Sequence, residues 1–267
     1  VPLLDCFVAP CKDGCPIHQD IPAYLQLVKE GKYEEAMKVI TEKNPLPFIT
    51  GTICAHPCMN KCTRNFYEES VYIRGMKLTA AENGYDALMD QITAPPVTKN
   101  GKAAVIGGGP AGMAAAYFLR RAGMETTLFE KTDSLGGVVR HVIPGFRISG
   151  SAIDKDAALL EKMGVNICLN SEITDLDMLK NAGYTAVILA VGASKPGVLR
   201  LEKGEPVNAL QFLEEFKEKD GDLDIGKNVV VIGGGNTAMD TARAAKRTKG
   251  VEHVYLVYRR TKRYMPA

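Results

Sequence analysis

The chain has 267 residues, is 46% apolar and carries a formal net charge of +2 without a basic block or tail. That length holds about two domains with sizeable cores, and the charge balance gives no reason to expect nucleic acid or an anionic membrane as partner. No apolar run reaches the roughly 18 residues of a membrane span, and no secretory signal peptide or low-complexity tract is visible. The first residues are Val1-Pro2, so the chain reads as processed, tagged or cut from something longer.

Residues 1–94 read as helices with irregular cysteine loops. Asp20 suits the N-cap of a helix through IPAYLQLVKEG that stops at Gly31. Tyr33 to Lys43 is a second amphipathic helix with Tyr33, Ala36, Met37 and Ile40 on one face. Asn44-Pro45-Leu46-Pro47 breaks it, a further helix is expected from Ile73 to Met89, and Thr93 to Gly101 reads as a linker around Pro95-Pro96.

Six of the seven cysteines fall in this first region: Cys6, Cys11 and Cys15, then Cys54, Cys58 and Cys62. Disulfides are disfavoured beside intracellular-type cofactor folds, and the reading places the protein in the cytoplasm. Zinc sites usually use C-x2-C knuckles, which this chain lacks. Iron–sulfur clusters accept looser spacings, and Cys11-x3-Cys15-Pro16 matches the C-x3-C-P ending of a ferredoxin run. Iron–sulfur ligation is the favoured reading, with zinc and plain thiols as alternatives. Six cysteines cannot fully ligate two [4Fe–4S] clusters, so either one cluster is present or each has a missing or non-cysteine ligand. Cys168, alone in VNICLN, reads as core packing.

After Lys102 the pattern turns to strand–helix alternation, which argues a doubly wound α/β architecture. A strand through AAVIG leads into VIGGGPAG. Gly107 permits the tight turn, Gly109 lets the backbone approach a pyrophosphate, and Gly112 allows close helix packing. The helix behind them supplies N–H donors and a positive dipole end to a diphosphate. The expected acid, Glu130, ends the second strand TTLFEK at about the usual 20-residue distance, which suits a ribose 2′-hydroxyl. GGVVRHVIPGFRI follows. It reads either as chain passing close to a flavin or as a plain glycine loop. Then come a helix through SAIDKDAALLEKMG, strands in VNICLN and AVILAVG, and a helix through ALQFLEEFKEK.

The second signature, VIGGGNTA, places Gly233, Gly235 and Ala238 in the three small-residue slots. Its second strand, VYLVY, ends in Arg259-Arg260 and not in an acid, with Lys262 and Arg263 close behind. A guanidinium pair there grips a 2′-phosphate and favours NADP(H); a solvated basic loop is the alternative. Two dinucleotide sites on one chain suggest that one hands electrons to the other.

On these residues the chain resembles the glutamate synthase small subunit and the N-terminal half of dihydropyrimidine dehydrogenase. It is most similar to the selenate reductase type of iron–sulfur flavoprotein. The strings that carry the resemblance are DCFVAPCKDGCPIHQDIPAY, NPLPFITGTICAHPCMNKCTRNF, GGGPAGMAAAYFLRRAG, GGVVRHVIPGFRI and GGGNTAMDTARAA. It implies two [4Fe–4S] clusters, FAD at the first signature and NADPH at the second. Cys6, Cys11 and Cys62 would share one cluster; Cys15, Cys54 and Cys58 would hold the other. The fourth ligands are open: Leu3 stands where the family often has another cysteine, and Lys77 stands where dihydropyrimidine dehydrogenase has a glutamine ligand.

For FAD the resemblance points to Gly107, Gly109, Pro110, Ala111 and Gly112, then Glu130, Lys131, Gly136, Gly137 and Val138, with Arg147 and, more weakly, Ile173. For the nicotinamide nucleotide it points to Gly233, Gly234, Gly235, Asn236 and Thr237, with Arg259 and Arg260 on the 2′-phosphate. The implied organisation is α+β and multidomain. A helical bis-[4Fe–4S] ferredoxin-like domain spans 1–94, the first part of an FAD domain 101–200, and the N-terminal part of an NAD(P)H domain 201–267. Both nucleotide folds are Rossmann-like and incomplete, so the chain reads as a fragment. The expected function is electron transfer between NADPH, FAD and the clusters toward a partner domain or subunit that gives or takes electrons. No catalytic residue is assigned, and a disulfide reductase is disfavoured without a redox C-x2-C. The alternative from another class is a non-catalytic iron–sulfur docking scaffold with vestigial nucleotide folds.

Overall fold

The structure, a computed structural model, describes residues 8–193, 197, 199 and 201–267. By compactness the chain forms two units. One ends its first segment at Gly136 and resumes over Gly150–Val191; the other combines Gly137–Ser149 with Gly192–Ala267.

The first unit opens with short helices α1 (Pro10–Asp13), α2 (Ile21–Lys29), α3 (Tyr33–Thr41), α4 (Pro47–Ile53) and α5 (Pro57–Asn60), followed by the long α6 (Ile73–Gln91). Asp20 caps α2 as expected, its carboxylate accepting from the Ala23 N–H at 3.4 Å. Ile21, Tyr24, Ala36, Met37, Ile40, Ala80 and Ala81 are all buried in the core of this helical region.

The same unit continues as β1 (Lys102–Ile106), α7 (Pro110–Arg121), β2 (Glu125–Phe129), α8 (Val138–His141, which belongs to the second unit), α9 (Gly150–Lys162), β3 (Asn166–Cys168), α10 (Leu176–Asn181) and β4 (Tyr184–Leu189). The strands make one parallel sheet in the order β3-β2-β1-β4. The order reverses beside β1, and the carboxyl end of that strand is where a parallel α/β sheet binds ligand. Ala103, Ala104 and Val105 have no exposure, as a strand covered on both faces requires. The linker before β1 is held by Arg120, which donates to the carbonyls of Pro95 and Gly164.

The second unit contains α11 (Ala209–Glu218), β5 (Asn228–Ile232), α12 (Asn236–Ala245) and β6 (His253–Val257), with β5 and β6 paired in parallel. Asn208 caps α11, accepting from the Leu210 N–H at 2.9 Å. Its apolar cluster joins Val142 from the segment 137–149 to Phe212, Leu213, Ala244 and Ala245. The GGVVRHVIPGFRI segment, expected within the first nucleotide region, therefore packs with the second.

Candidate functional site

The first glycine signature forms the turn between β1 and α7. Gly107 has φ +105°, and a Cβ there would stand 2.4 Å from the Ala190 carbonyl oxygen. A Cβ on Gly112 would stand 1.8 Å from the Gly107 carbonyl oxygen, so only glycine lets α7 start this close to the turn. Pro110 and Ala111 open the helix, with Gly109 as its cap.

Glu130 follows β2 and is buried. Its Oε2 accepts from the Gly108 N–H at 2.6 Å; its Oε1 accepts from the Thr132 N–H and hydroxyl at 2.9 and 3.0 Å. Burial opposes its ionisation, but the Thr132 and Gly108 amides outweigh that and hold the carboxyl below the usual range. The acid thus ties the glycine turn to the end of β2. The Gly136 N–H donates to the Gly108 carbonyl at 2.8 Å, bringing the second glycine pair to the first. Lys131 is exposed, and Ile173 packs against Ala104, Ile106 and Leu179.

The chain turns at Gly136 and Gly137, with φ of +124° and +51°, into Val138 and the single helical turn α8. Arg147 lies in the second unit, its Nη1 2.5 Å from Asp240 Oδ1.

The second signature joins β5 to α12. Gly233 has φ +143°, and a Cβ on Gly234 would meet the Tyr258 ring at 2.7 Å. A Cβ on Gly235 would meet nothing within 4 Å, so packing does not demand that glycine, and open space lies over the N-terminus of α12. Asn236 and Thr237 begin the helix. Arg259 and Arg260 follow β6 at the surface, and neither forms an ion pair among the described residues. An open glycine cradle on a helix N-terminus with two unpaired guanidinium groups fits a phosphorylated nucleotide.

Cys6 and Leu3 lie outside the described residues. Cys11, Cys15, Cys54, Cys58 and Cys62 are all free thiols. Cys15 and Cys58 are buried in the helical core. Burial, then Cys15 and Cys54 nearby, pushes the Cys58 thiol up, and burial with a smaller contribution from Cys62 does the same to Cys11. Lys77, buried on α6, is held below its ordinary range by burial, against the opposing pull of Cys54, Cys15 and Cys58. Cys58 is thus an electrostatic neighbour of Cys15 and Cys54, all three act on Lys77, and Cys11 neighbours Cys62; Tyr24 stands within reach of Cys58, Cys15, Cys11 and Cys54 alike. Among the described residues no group of three or more His, Cys, Asp or Glu side chains stands arranged around a metal position. The donor set fits iron–sulfur chemistry by kind: soft thiols, unbridged and partly desolvated.

The family profile described as pyridine nucleotide-disulphide oxidoreductase matches residues 101–267. The chain belongs to this family. The profile of dihydropyrimidine dehydrogenase domain II, with its 4Fe-4S cluster, matches residues 3–87. The chain is 44% identical to YgfK of Escherichia coli, over all of this chain and 26% of that protein. It is 37% identical to the NADPH-Fe(3+) oxidoreductase subunit beta of Geobacter sulfurreducens, over 99% of this chain and 40% of the relative. The glutamate synthase [NADPH] small chain of Bacillus subtilis is 33% identical over 88% of this chain and 51% of its own length. The chain therefore spans about a quarter to a half of these relatives.

Two residues of this architecture carry no motif. Asp240 is a lone acid in the Ala-rich helix α12, and Asp156 shares α9 with the exposed acids Asp154 and Glu161; only their burial sets Asp240 and Asp156 apart. Asp156 has no exposure and accepts from the Phe48 and Ile49 N–H groups at 3.1 and 2.8 Å, which fixes the start of α4, the helix that ends at Cys54.

Proposed function

We propose that the chain is an electron-transfer oxidoreductase module that connects NADPH, FAD and two [4Fe–4S] clusters to an electron-giving or -accepting partner domain or subunit. The observation that carries this reading is the pairing of two unlike glycine signatures. The first is closed by Glu130; the second is followed by unpaired Arg259 and Arg260. The family of residues 101–267 and the NADPH named for two relatives support it. The functional division 1–94, 101–200 and 201–267, with two Rossmann-like folds, belongs to this proposal.

The residues act by holding and orienting. Gly107 to Gly112 and the start of α7 would receive the FAD pyrophosphate, Glu130 the ribose, and Gly136 to Val138 with Arg147 the remainder. Gly233 to Thr237 would receive the NADPH pyrophosphate, with Arg259 and Arg260 on the 2′-phosphate. Cys15, Cys54 and Cys58 would hold one cluster, and Cys6, Cys11 and Cys62 the other. Bound flavin and clusters together supply the conversion of a two-electron donor into single electrons. No side chain is asked to act as general acid or base.

A binding comparison tests the nucleotide assignment. Charge-assisted bonds to a phosphate contribute about 1.5–3 kcal/mol each, so Arg259→Ala should weaken NADPH binding roughly 10- to 100-fold and leave NADH unchanged. Equal affinity for the two nucleotides, unaltered by the substitution, removes the phosphate role.

A further inference from the structure

We propose that Asp240 is a positioning residue for Arg147, and that α12, with α11, anchors the segment 137–149 as a strap on the second nucleotide fold. The inference rests on the reading of Arg147 as a flavin contact; the strap's anchorage on α12 does not depend on it.

The strap has one helical turn and no strand pairing, so side chains must fix it. Val142 is buried against Phe212, Leu213, Ala244 and Ala245. The Ile143 carbonyl accepts from Lys217 Nζ at 2.8 Å. The Phe146 ring has the Arg243 and Arg247 guanidinium groups 4.7 and 4.4 Å from its centroid. Arg147 Nη1 meets Asp240 Oδ1. Asp240, Arg243, Ala244 and Arg247 follow one another at helical spacing, so one stripe of α12 and the residues just beyond it meet Val142, Phe146 and Arg147 of the strap.

Asp240 differs from the other anchors. Its side chain is 9% exposed, while that of Arg147 is 27% exposed. A carboxylate this buried is stabilised by its guanidinium partner, and loss of either partner leaves a desolvated charge. Arg147 has five N–H donors in a rigid fork; an Nη1 N–H meets Asp240 Oδ1, leaving others for a ligand. Asp240 also lies one turn below Asn236, the first residue of α12, where a nucleotide diphosphate would rest. A single helix would thus hold the nucleotide at its end and orient Arg147 from its side.

The test compares wild type, Asp240→Asn and Asp240→Glu in the full-length polypeptide by amide hydrogen exchange and by visible circular dichroism of bound flavin. Asp240→Asn should raise exchange over 138–148 about tenfold, with β1 and α7 unchanged. It should alter the flavin dichroism and slow flavin reduction with NADPH affinity held within about twofold, and Asp240→Glu should restore part of each. Unchanged exchange over 138–148 in Asp240→Asn overturns the proposal. If that variant does not fold, Arg147→Gln is measured against the same two outcomes. A wild-type protein that retains no flavin would defeat the flavin reading, while the exchange comparison still decides the role of Asp240.

Discussion

Single residues at the sites divide into those that packing requires and those left open for a ligand. Gly112 and Gly235 make the contrast. A Cβ at Gly112 collides with backbone at 1.8 Å, whereas one at Gly235 meets nothing. Gly112→Ala should therefore lower the unfolding midpoint, while Gly235→Ala should leave it unchanged and weaken NADPH binding; thermal melts paired with nucleotide titrations check both. Asp156 gives a pH prediction. Burial pushes its carboxyl up to about 7, against the amides of Ile49 and Phe48 that pull it down. Raised in the folded state, this group contributes stability that is full below the ordinary carboxylate value and is lost as pH rises through about 7. Urea midpoints should fall from about pH 4 to about pH 7 for this reason, and Asp156→Asn should flatten that slope. The same substitution loses an acceptor for one buried N–H and should cost about 1–3 kcal/mol. Glu130 was legible in the sequence because a motif fixes its distance from the glycines. Asp156 and Asp240 were not, because an acid in an amphipathic helix has the same pattern whether it faces water or a buried partner.

Elements follow from pattern where periodicity is strong. The helices α2, α3, α7, α9, α11 and α12 and the strands β1 to β6 lie where hydrophobic period and caps put them. The helix α4 was hidden, since Pro45 and Pro47 read as a break; Pro47 instead occupies the first helical turn, where its missing N–H is harmless. The helix α6 packs against α2, α3 and α4, and so small residues are spread around it. Gly84 marks its closest approach: a Cβ there would stand 2.4 Å from the Tyr33 carbonyl oxygen at the start of α3. Gly84→Ala should destabilise the first unit by about 1–3 kcal/mol through forced separation of α3 and α6, measurable by denaturant unfolding. The segment 137–149 shows the limit of pattern reading. Its glycines announce a turn, but nothing in its composition reveals that Phe146 and Arg147 choose partners on a helix ninety-odd residues further along the chain.

At the scale of the whole molecule, a thiol-rich helical region and two nucleotide signatures stand on one chain, and the unlike acids and bases of the signatures support the proposed order of cofactors. Among the described residues no helix is long and apolar enough to cross a membrane. The central claim is that the cysteines and the two signatures work as one electron path. The most direct measurement is an anaerobic titration of the full-length protein with NADPH and, separately, NADH, with iron, sulfide and flavin content determined beforehand. The expected result is bound iron, sulfide and flavin, and bleaching of both flavin and iron–sulfur absorbance by NADPH at lower concentration than by NADH. Protein that retains neither iron and sulfide nor flavin, or whose cofactors stay oxidised under NADPH, would contradict it and leave the docking scaffold in its place.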